Sequence, residues 1–337
     1  MSDGQVHDVI IVGAGPAGFA AALYTTRDGY DTVILEKAGI PGGQILLTER
    51  VENYPGYERI SGPDLVANMR RQAENFGAQI AAGAEATDLS RRDDGVLQVQ
   101  VNAGEQTYLG RSVILSPGSD YRQLGAPGEQ QLRQAGRVSY CATCDGAFYR
   151  GLHVLAVGGG NTAVEDTIYL AERFTKKVTL IHRREEFRAQ RVLVDQLHAA
   201  AGKHNIEIRL PYVLAEIVPN DDAQKIDHVV IKNVKTGKTE KLKVDGVFIF
   251  VGMVPNTKWL AGAIDVTEAG YVKCDCLTLR TSMPGVFVAG DCRMGAAMQL
   301  ATACADGVVA AMMLKQYFHD PDNWAKASAE ALGGGGW

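Results

Sequence analysis

A glycine-rich turn directly after an apolar strand pattern occurs twice in this chain, and this repetition limits the possible folds more than any other feature. The first turn, Gly13-Ala14-Gly15-Pro16-Ala17-Gly18, follows the apolar segment 8–12, and the second begins at Gly158-Gly159-Gly160 after segment 153–157. In both places a helical pattern and a further apolar strand come next, which completes a β-α-β unit. Two such units predict an α/β fold with parallel sheets.

The first unit has a residue for each contact that a bound dinucleotide needs. Gly13 permits the tight turn, Gly15 lets the backbone approach a pyrophosphate, and Gly18 lets the helix pack closely on the strand. Glu36 ends the next strand, where its carboxylate can accept a hydrogen bond from a ribose hydroxyl. The alternative is a glycine-rich turn in an unrelated α/β domain. We expect two Rossmann-like, three-layer nucleotide-binding domains, of which the second is inserted in the first.

The second unit differs from the first at the end of its second strand. Arginines stand there instead of an acid, in His182-Arg183-Arg184 and again at Arg188. A carboxylate would repel a 2′-phosphate, whereas arginines pair with it bidentately. The sequence therefore favours NADP over NAD at this site. The alternative is a solvated basic turn, whose charge Glu185 and Glu186 would partly balance.

Between the two units lies a pair of cysteines, Cys141 and Cys144, followed at once by Asp145. Such a pair is a zinc half-site, a redox dithiol or a coincidence. Zinc needs two more ligands, and Cys274-Asp275-Cys276 has only one residue between its cysteines. A redox dithiol closes and reopens a short disulfide, and an adjacent acid supplies a proton to the leaving thiolate. The alternative role for Asp145 is a helix N-cap or a turn residue.

Two nucleotide sites and a dithiol together predict a path for two electrons. A reduced nicotinamide nucleotide delivers a hydride, whereas a disulfide takes up two electrons and two protons and becomes two thiols. A flavin can accept the hydride and pass the electron pair on to sulfur. This logic assigns a flavin dinucleotide to the first site and NADPH to the second. The dithiol then passes the electrons on to a disulfide substrate.

Charge and hydropathy argue against a nucleic-acid-binding protein, a membrane protein and a secreted protein. The formal charge of −5, with no basic run, makes a nucleic-acid partner unexpected. No uncharged run approaches the roughly 20 residues of a membrane span. The apolar segment 9–24 lacks the basic residues that precede a signal-peptide core. We therefore expect a cytoplasmic protein, in which the six cysteines are reduced unless they are catalytic.

Three motifs in this order resemble the low-molecular-weight (bacterial-type) thioredoxin reductases. They are Cys141-Ala142-Thr143-Cys144-Asp145-Gly146, the glycine segment 158–166, and His182-Arg183-Arg184-Glu185-Glu186-Phe187-Arg188-Ala189. Segments 51–56, 255–257 and 289–291 also resemble the family pattern. The resemblance covers the chain from Val9 to about Tyr317.

The resemblance implies a homodimeric FAD enzyme that reduces thioredoxin with NADPH and serves cell redox homeostasis, including removal of superoxide radicals. It implies an FAD-binding domain at 1–119 and 252–328, and an NADPH-binding domain at 120–251 that carries the dithiol. The glycine-rich tail 329–337 is expected to be flexible. Members of the family alternate between two domain orientations, so hinges are expected near Gly118 and Gly252.

The resemblance also implies a role for individual residues. Cys144 faces the flavin, Cys141 attacks the disulfide of thioredoxin, Asp145 donates a proton, and Asp291 holds the ribityl chain. The implied FAD-binding positions are Gly13, Gly15, Pro16, Ala17, Gly18, Glu36, Lys37, Gly42, Gly43, Gln44, Leu47, Asn53, Gly118, Gly290, Asp291, Met298, Gln299 and Leu300. The implied NADPH-binding positions are Gly158, Gly160, Asn161, Thr162, His182, Arg183, Arg184 and Arg188. No metal is expected.

Two segments depart from the family pattern. Ser116-Pro117-Gly118 stands where the family has alanine, threonine and glycine, and Met298-Gln299 stands where it has arginine and glutamine. Both departures concern flavin contacts or domain motion. Three other functions stay open: a reductase of a peroxiredoxin or another thioredoxin-like partner, a flavin dithiol oxidase that uses oxygen, and a non-catalytic, zinc-bearing nucleotide sensor.

Overall fold

The computed structural model describes residues 5–48 and 51–325, with Leu47, Asn323 and Ala325 described in their backbone alone. These residues form two compact units. One consists of the described residues up to Asp120 together with those from Val254 onward, and the other is Tyr121–Met253. The second unit is thus an insertion in the first. The tail 329–337 lies outside the described residues.

The helices and strands are numbered here in chain order. The α-helices are α1 Pro16–Arg27, α2 Gly62–Asn75, α3 Glu129–Gln134, α4 Ala142–Asp145, α5 Asn161–Arg173, α6 Arg191–Ala201 and α7 Leu300–His319. The strands are β1 Val6–Val12, β2 Thr32–Glu36, β3 Gln79–Ala82, β4 Ala86–Arg91, β5 Leu97–Val101, β6 Gln106–Leu115, β7 Ser119–Tyr121, β8 Val138–Ser139, β9 His153–Gly158, β10 Lys177–Ile181, β11 Ile206–Arg209, β12 Tyr212–Pro219, β13 Ile226–Asn233, β14 Thr239–Leu242, β15 Gly246–Phe250, β16 Met253–Pro255 and β17 Val286–Val288. Short 3-10 helices occur at Gly43–Leu47, Asn102–Gly104, Gly146–Tyr149, Lys258–Leu260 and Pro321–Ala325.

The first unit is built on one sheet in the order β3-β2-β1-β6-β5-β4, with β17 also paired to β6. Strands β3, β2, β1, β6 and β17 run parallel, and β4 and β5 add an antiparallel edge. The central strand β1 is almost wholly apolar because it is covered on both faces. One buried cluster joins it to the helices, and a second lies on its opposite face.

Helices α1 and α7 pack closely in the first unit because glycine stands at their contact. A Cβ at Gly307 would lie 2.2 Å from the carbonyl oxygen of Ala17, which no side chain tolerates. The alanine-rich segment 296–314 predicts a helix, but α7 begins only at Leu300. The earlier start was wrong: Gly295 and Met298 have φ values of +75° and +55°, which are incompatible with an α-helix.

The second unit contains an entirely parallel sheet in the order β11-β10-β9-β15-β8. Helices α5 and α6 cover one face through a cluster around Ala156 and Phe248. The antiparallel strands β12, β13 and β14 cover the other face through a cluster around Leu155 and Ile249. This three-layer arrangement confirms the predicted α/β, Rossmann-like fold class. Within the described ranges, no helix is long and apolar enough to cross a membrane.

Candidate active site

Cys141 and Cys144, which lie between the two glycine turns in the sequence, form a disulfide in the compact unit Tyr121–Met253. Strand β8 ends at Ser139, and Cys141 then caps the single helical turn α4. Cys141 and Cys144 are bonded, and both are half-buried. The main-chain N–H of Cys144 donates to Sγ of Cys141 at 3.2 Å. The two cysteines are therefore placed so that they can close and reopen a disulfide.

The other four cysteines, Cys274, Cys276, Cys292 and Cys304, are free thiols. Among the described residues, no group of three or more histidine, cysteine, aspartate or glutamate side chains is arranged to hold a metal ion. Nothing in those ranges therefore completes a zinc site with Cys141 and Cys144.

Asp145 is the acid of this site, and Ser139 is its partner. The hydroxyl of Ser139 donates to Oδ2 of Asp145 at 2.6 Å. Burial raises the pKa of Asp145, and the Ser139 hydrogen bond opposes that rise. The carboxyl consequently holds a proton to higher pH than an exposed aspartate does. Asp145 occupies the N-cap position of the 3-10 helix that follows, but its side chain makes no capping hydrogen bond to that helix.

An aromatic and charged cluster fixes Tyr140, the residue before Cys141. Its ring stacks on Tyr121 with the centroids 5.0 Å apart, and the guanidinium of Arg133 lies 4.9 Å from the ring centre. Its hydroxyl donates to Glu129 at 2.6 Å. The Glu129 carboxylate is buried and also accepts the main-chain N–H groups of Leu124 and Ala126. No sequence motif signalled this cluster, because its members are separated along the chain.

The second glycine turn joins β9 to α5 and has the form of a phosphate cradle. A Cβ at Gly160 would meet no atom within 4 Å, so this residue faces open space. Gly160 caps α5 without any side-chain bond, which leaves the first N–H groups of that helix available to an anion. A Cβ at Gly158 would lie 2.5 Å from the carbonyl oxygen of Phe250. This residue must therefore be glycine for the strands to pack.

The loop after β10 folds back onto this turn. The N–H of Arg188 donates to the carbonyl of Gly159 at 2.7 Å, and the N–H of Gln190 donates to Oδ1 of Asn161 at 2.9 Å. His182 is buried, and a Cβ at Gly159 would lie 2.3 Å from its ring. The turn and the loop thus form one site. Gly159 lies within the glycine turn but was given no role in the sequence analysis, and its contact with His182 requires glycine.

The charges of this loop fit a phosphate. Arg183, Arg184 and Arg188 are exposed, as is Thr162 at the start of α5. Within the described ranges none of the three arginines forms a salt bridge, whereas Glu185 pairs with Lys235 at 2.5 Å. Glu185 therefore does not neutralise the arginines, which weighs against a merely balanced, solvated turn. Burial first, and then the neighbouring arginines, lower the pKa of His182.

The first glycine turn has the same form in the first unit. A Cβ at Gly13 would lie 2.3 Å from the carbonyl oxygen of Ser116, and one at Gly18 would lie 2.0 Å from the carbonyl oxygen of Gly13. A Cβ at Gly15 would meet no atom within 4 Å. The Ser116 hydroxyl bonds the carbonyls of Val12 and Gly13 at 3.1 Å. Serine at this departure from the family pattern therefore braces the turn.

Several other implied flavin-binding residues gather at this turn. Glu36 accepts the N–H groups of Ala14 and Ala38, each at 2.8 Å, which leaves its carboxylate with further acceptor capacity. A Cβ at Gly43 would lie 3.3 Å from the Cα of Gly15, and one at Gly290 would lie 3.1 Å from the Cβ of Ala17. Pro16 is the first residue of α1, whose cap has no side-chain bond.

The remaining implied residues lie on nearby loops of the same unit. Gly42 precedes the 3-10 helix that contains Gln44 and ends at Leu47, and Gln44 donates to Asp120. The amide of Asn53 lies 3.5 Å from that of Gln299, next to the first residue of α7, Leu300. Gly118 has a φ of +68°, and Met298 is half-buried. Lys37 is exposed at the end of β2, and no described contact joins it to this group. The structure gives no account of methionine at position 298.

Asp291 provides a test of whether the first site fits a flavin. Its Oδ1 is buried and has no hydrogen-bond partner among the described residues. Burial, with a smaller contribution from Asp306, raises its pKa to about 6. Asp306 accepts the N–H of Gly290 and a forked bond from Arg293, which fixes this turn. A hydroxyl donor such as that of a ribityl chain fits Oδ1, so the residues present fit a flavin dinucleotide.

Comparison with known proteins assigns the family. Residues 7–307 match the family model described as pyridine nucleotide-disulphide oxidoreductase. This chain belongs to that family. The family implies a flavin and a pyridine nucleotide.

Similar relatives within the family are named thioredoxin reductases. That of Listeria innocua serovar 6a is 41% identical over 328 residues, which cover 97% of this chain and 99% of the relative. That of Bacillus subtilis (strain 168) is 41% identical over 320 residues, covering 95% and 97%. The crystal structure of thioredoxin reductase from Streptococcus pyogenes MGAS5005 superposes with a TM-score of 0.86 at 39% identity, covering 93% of this chain and 98% of the other. The resemblance read from the sequence is confirmed.

Proposed function

We propose that this oxidoreductase is a thioredoxin-disulfide reductase, in which NADPH supplies electrons through FAD to the Cys141–Cys144 disulfide and the resulting dithiol reduces thioredoxin. The observation that carries the proposal is the disulfide itself, closed beside the partly buried acid Asp145 in the unit that holds the second glycine turn. The names of the relatives support the same activity.

The cofactor assignment follows the two cradles. A bound flavin supplies two-electron chemistry between a hydride donor and a disulfide. Gly13, Gly15 and Glu36 would hold the dinucleotide part of FAD, and Asp291 would accept a hydroxyl of its ribityl chain. Asn161 and the α5 N-terminus would hold the pyrophosphate of NADPH. Arg183, Arg184 and Arg188 would hold its 2′-phosphate.

The residues of the second unit perform the exchange with thioredoxin. An electron pair breaks the Cys141–Cys144 bond and leaves two thiolates. The thiolate of Cys141 then attacks a sulfur of the thioredoxin disulfide, and one thioredoxin thiolate leaves. Asp145 gives that thiolate its proton. Cys144 next attacks Sγ of Cys141, which restores the disulfide and releases the second thioredoxin thiolate.

The geometry favours Cys141 as the attacking residue. Its Sγ accepts the main-chain N–H of Cys144, and a hydrogen bond of this kind stabilises a thiolate. Cys141 also stands at the start of the helical turn, beside the exposed Thr143. Cys144 is consequently assigned to the flavin side. The proposal includes a homodimer, as the sequence resemblance implies, and a cytoplasmic location, as expected from the composition and the segment 9–24.

Replacing Cys144 tests the relay directly. In the flavin-loaded Cys144→Ser variant, NADPH is expected still to bleach the flavin absorbance, because hydride uptake does not involve sulfur. Turnover with oxidised thioredoxin is expected to fall by on the order of a thousand-fold or more, because the disulfide cannot form. Stopped-flow absorbance measures the first step, and NADPH consumption measures the second.

The exposed free thiol Cys276 offers a matched control, since Cys276→Ser changes the same atom outside the disulfide. That variant is expected to keep full activity. Full thioredoxin reduction by Cys144→Ser would sink the proposed relay. Wild-type turnover with a peroxiredoxin or another thioredoxin-like protein, but with no thioredoxin, would replace the proposed partner and keep the chemistry.

A further inference from the structure

The hydroxyl of Ser139 lies between the acid and the attacking cysteine of the proposed site. It is 2.6 Å from Oδ2 of Asp145, and it accepts the main-chain N–H of Cys141 at 3.1 Å. Its distance to the carbonyl of Cys141 is 3.3 Å. A hydroxyl has a single hydrogen, and the shorter bond to the charged acceptor takes it. One side chain thus links the Cys141 N–H to the Asp145 carboxylate.

Ser139 is itself held in place by the sheet. It is 4% exposed and belongs to β8, where it is paired with Phe248 of the central strand β15. Cys141 and Asp145 instead lie on the single turn α4, which is too short to hold its own shape. Since Asp145 has no other side-chain hydrogen bond among the described residues, Ser139 ties both to the sheet.

We propose that Ser139 is a positioning residue for thiol–disulfide exchange: its hydroxyl holds the Asp145 carboxyl and the Cys141 main chain at a fixed separation. The inference rests on the proposed function. It adds a residue that touches neither flavin nor thioredoxin sulfur and acts only through Asp145 and Cys141.

A second consequence concerns the proton on Asp145. A donor hydrogen bond favours the carboxylate, so Ser139 keeps the pKa of Asp145 below the level that burial alone would set. Without the hydroxyl, that pKa rises further and the protonated form extends to higher pH. Loss of Ser139 therefore moves the alkaline limb of the pH–rate profile upward, while poorer positioning lowers the maximal rate.

The other charged groups around this turn do not replace the serine. Tyr149, on the 3-10 helix after α4, donates its hydroxyl to the carbonyl of Gly136, and burial and then the Asp145 charge raise its pKa. Arg137 opposes that rise. Helix α5, which packs against α4, carries the carboxyls of Glu165 and Asp166. Burial and then Glu165 raise the pKa of Asp166 to about 6, with no contribution from Asp145.

The experiment combines two substitutions in the flavin-loaded enzyme. Ser139→Ala is expected to lower kcat with oxidised thioredoxin about tenfold or more, to move the alkaline limb to higher pH, and to leave flavin bleaching by NADPH unchanged. In an Asp145→Asn background, the same Ser139→Ala change is expected to have little further effect, because the serine acts through the acid. The matched control is Ser112→Ala. This change also removes a buried hydroxyl, one that donates to the carbonyl of Gly285 in the other compact unit.

A spectroscopic measurement separates positioning from general damage. An infrared pH titration follows the protonated carboxyl of Asp145, identified by its absence in Asp145→Asn. Its midpoint is expected to rise in Ser139→Ala and to return in Ser139→Thr, which keeps the hydroxyl. An unshifted midpoint with additive rate losses would overturn the role of Ser139. A wild-type enzyme without NADPH-dependent thioredoxin reduction would instead overturn the proposed function, whatever the infrared titration gives.

Discussion

Burial raises the pKa values of Asp145 and Asp291, but the two carboxyls differ in their hydrogen-bond partners. Asp145 has a partner, Ser139, and its raised pKa suits an acid that gives up a proton during exchange. Asp291 has a buried oxygen without any partner among the described residues, and its pKa is raised to about 6. A buried charge of this kind destabilises a fold unless a ligand supplies a donor. Oδ1 of Asp291 can therefore accept a hydrogen bond from a hydroxyl group of a ligand.

This difference predicts a pH-dependent stability of the flavin-depleted protein. The folded pKa of Asp291 lies above its unfolded value of 3.8, so stability falls as the pH rises from about 4 to about 6 and the buried group ionises. In Asp291→Asn this part of the fall is expected to disappear, which makes the variant more stable than wild type above pH 6 and equal to it below pH 4. Thermal unfolding across this range measures the effect.

The same substitution is expected to weaken flavin binding about tenfold, because the hydroxyl loses a charged acceptor. Flavin fluorescence in an equilibrium titration measures that loss. The exposed Asp94, which pairs with Arg92, provides the control as Asp94→Asn. If the pH dependence of stability were the same in wild type and Asp291→Asn, the buried charge would not be the cause.

At the scale of elements, strand-turn-helix units were predictable from the sequence, and the joints between them were less so. Apolar runs placed β1, β9 and β10 because buried parallel strands have few polar positions. The start of α7 was missed because an alanine-rich segment has high helix propensity, whereas the left-handed backbone at Met298 depends on the surrounding loop. The roles of Ser139 and Gly159 were also missed, because they depend on tertiary contacts. Their roles depend on a hydroxyl and a ring brought close by folding, which no spacing rule encodes.

The loop between β10 and α6 leads to a prediction of nucleotide preference. The backbone of this loop is tied to Gly159 and Asn161. Three arginines that form no salt bridge within the described part of the chain therefore lie on one short segment at the glycine turn. We expect kcat/KM to be higher with NADPH than with NADH. The double variant Arg183→Ala, Arg184→Ala is expected to lose about 10- to 100-fold in kcat/KM for NADPH and little for NADH. Steady-state kinetics with both nucleotides measures the change.

Lys203→Ala removes one positive charge beyond α6 and serves as the control for net charge. That variant should keep the wild-type preference. Equal kcat/KM values for NADPH and NADH in the wild-type enzyme would contradict the assignment of a 2′-phosphate site to this loop.

The whole molecule consists of two units, each with its own sheet and buried clusters. Both contain a glycine turn after a central strand, so the architecture alone does not say which cofactor each unit holds. Local chemistry separates them. The first has an acid at the end of β2 and a buried Asp291 oxygen with no hydrogen-bond partner in the described ranges, and the second has arginines after β10. The assignment of FAD to the first unit and NADPH to the second remains a prediction from these side chains.

Hydrogen exchange can assign the cofactors because a ligand slows opening in the unit that binds it. A ligand at 100 times its Kd stabilises the binding form by about 2.7 kcal/mol, on the order of a hundred-fold in opening equilibrium. Adding FAD to flavin-depleted protein is expected to protect the β1–α1 turn and the segment around Asp291, and NADP⁺ the β9–α5 turn and residues 182–190. NAD⁺ at the same concentration is the control and should protect the 182–190 loop less. Protection of 182–190 by FAD alone would reverse the assignment, since each ligand reports on its own unit.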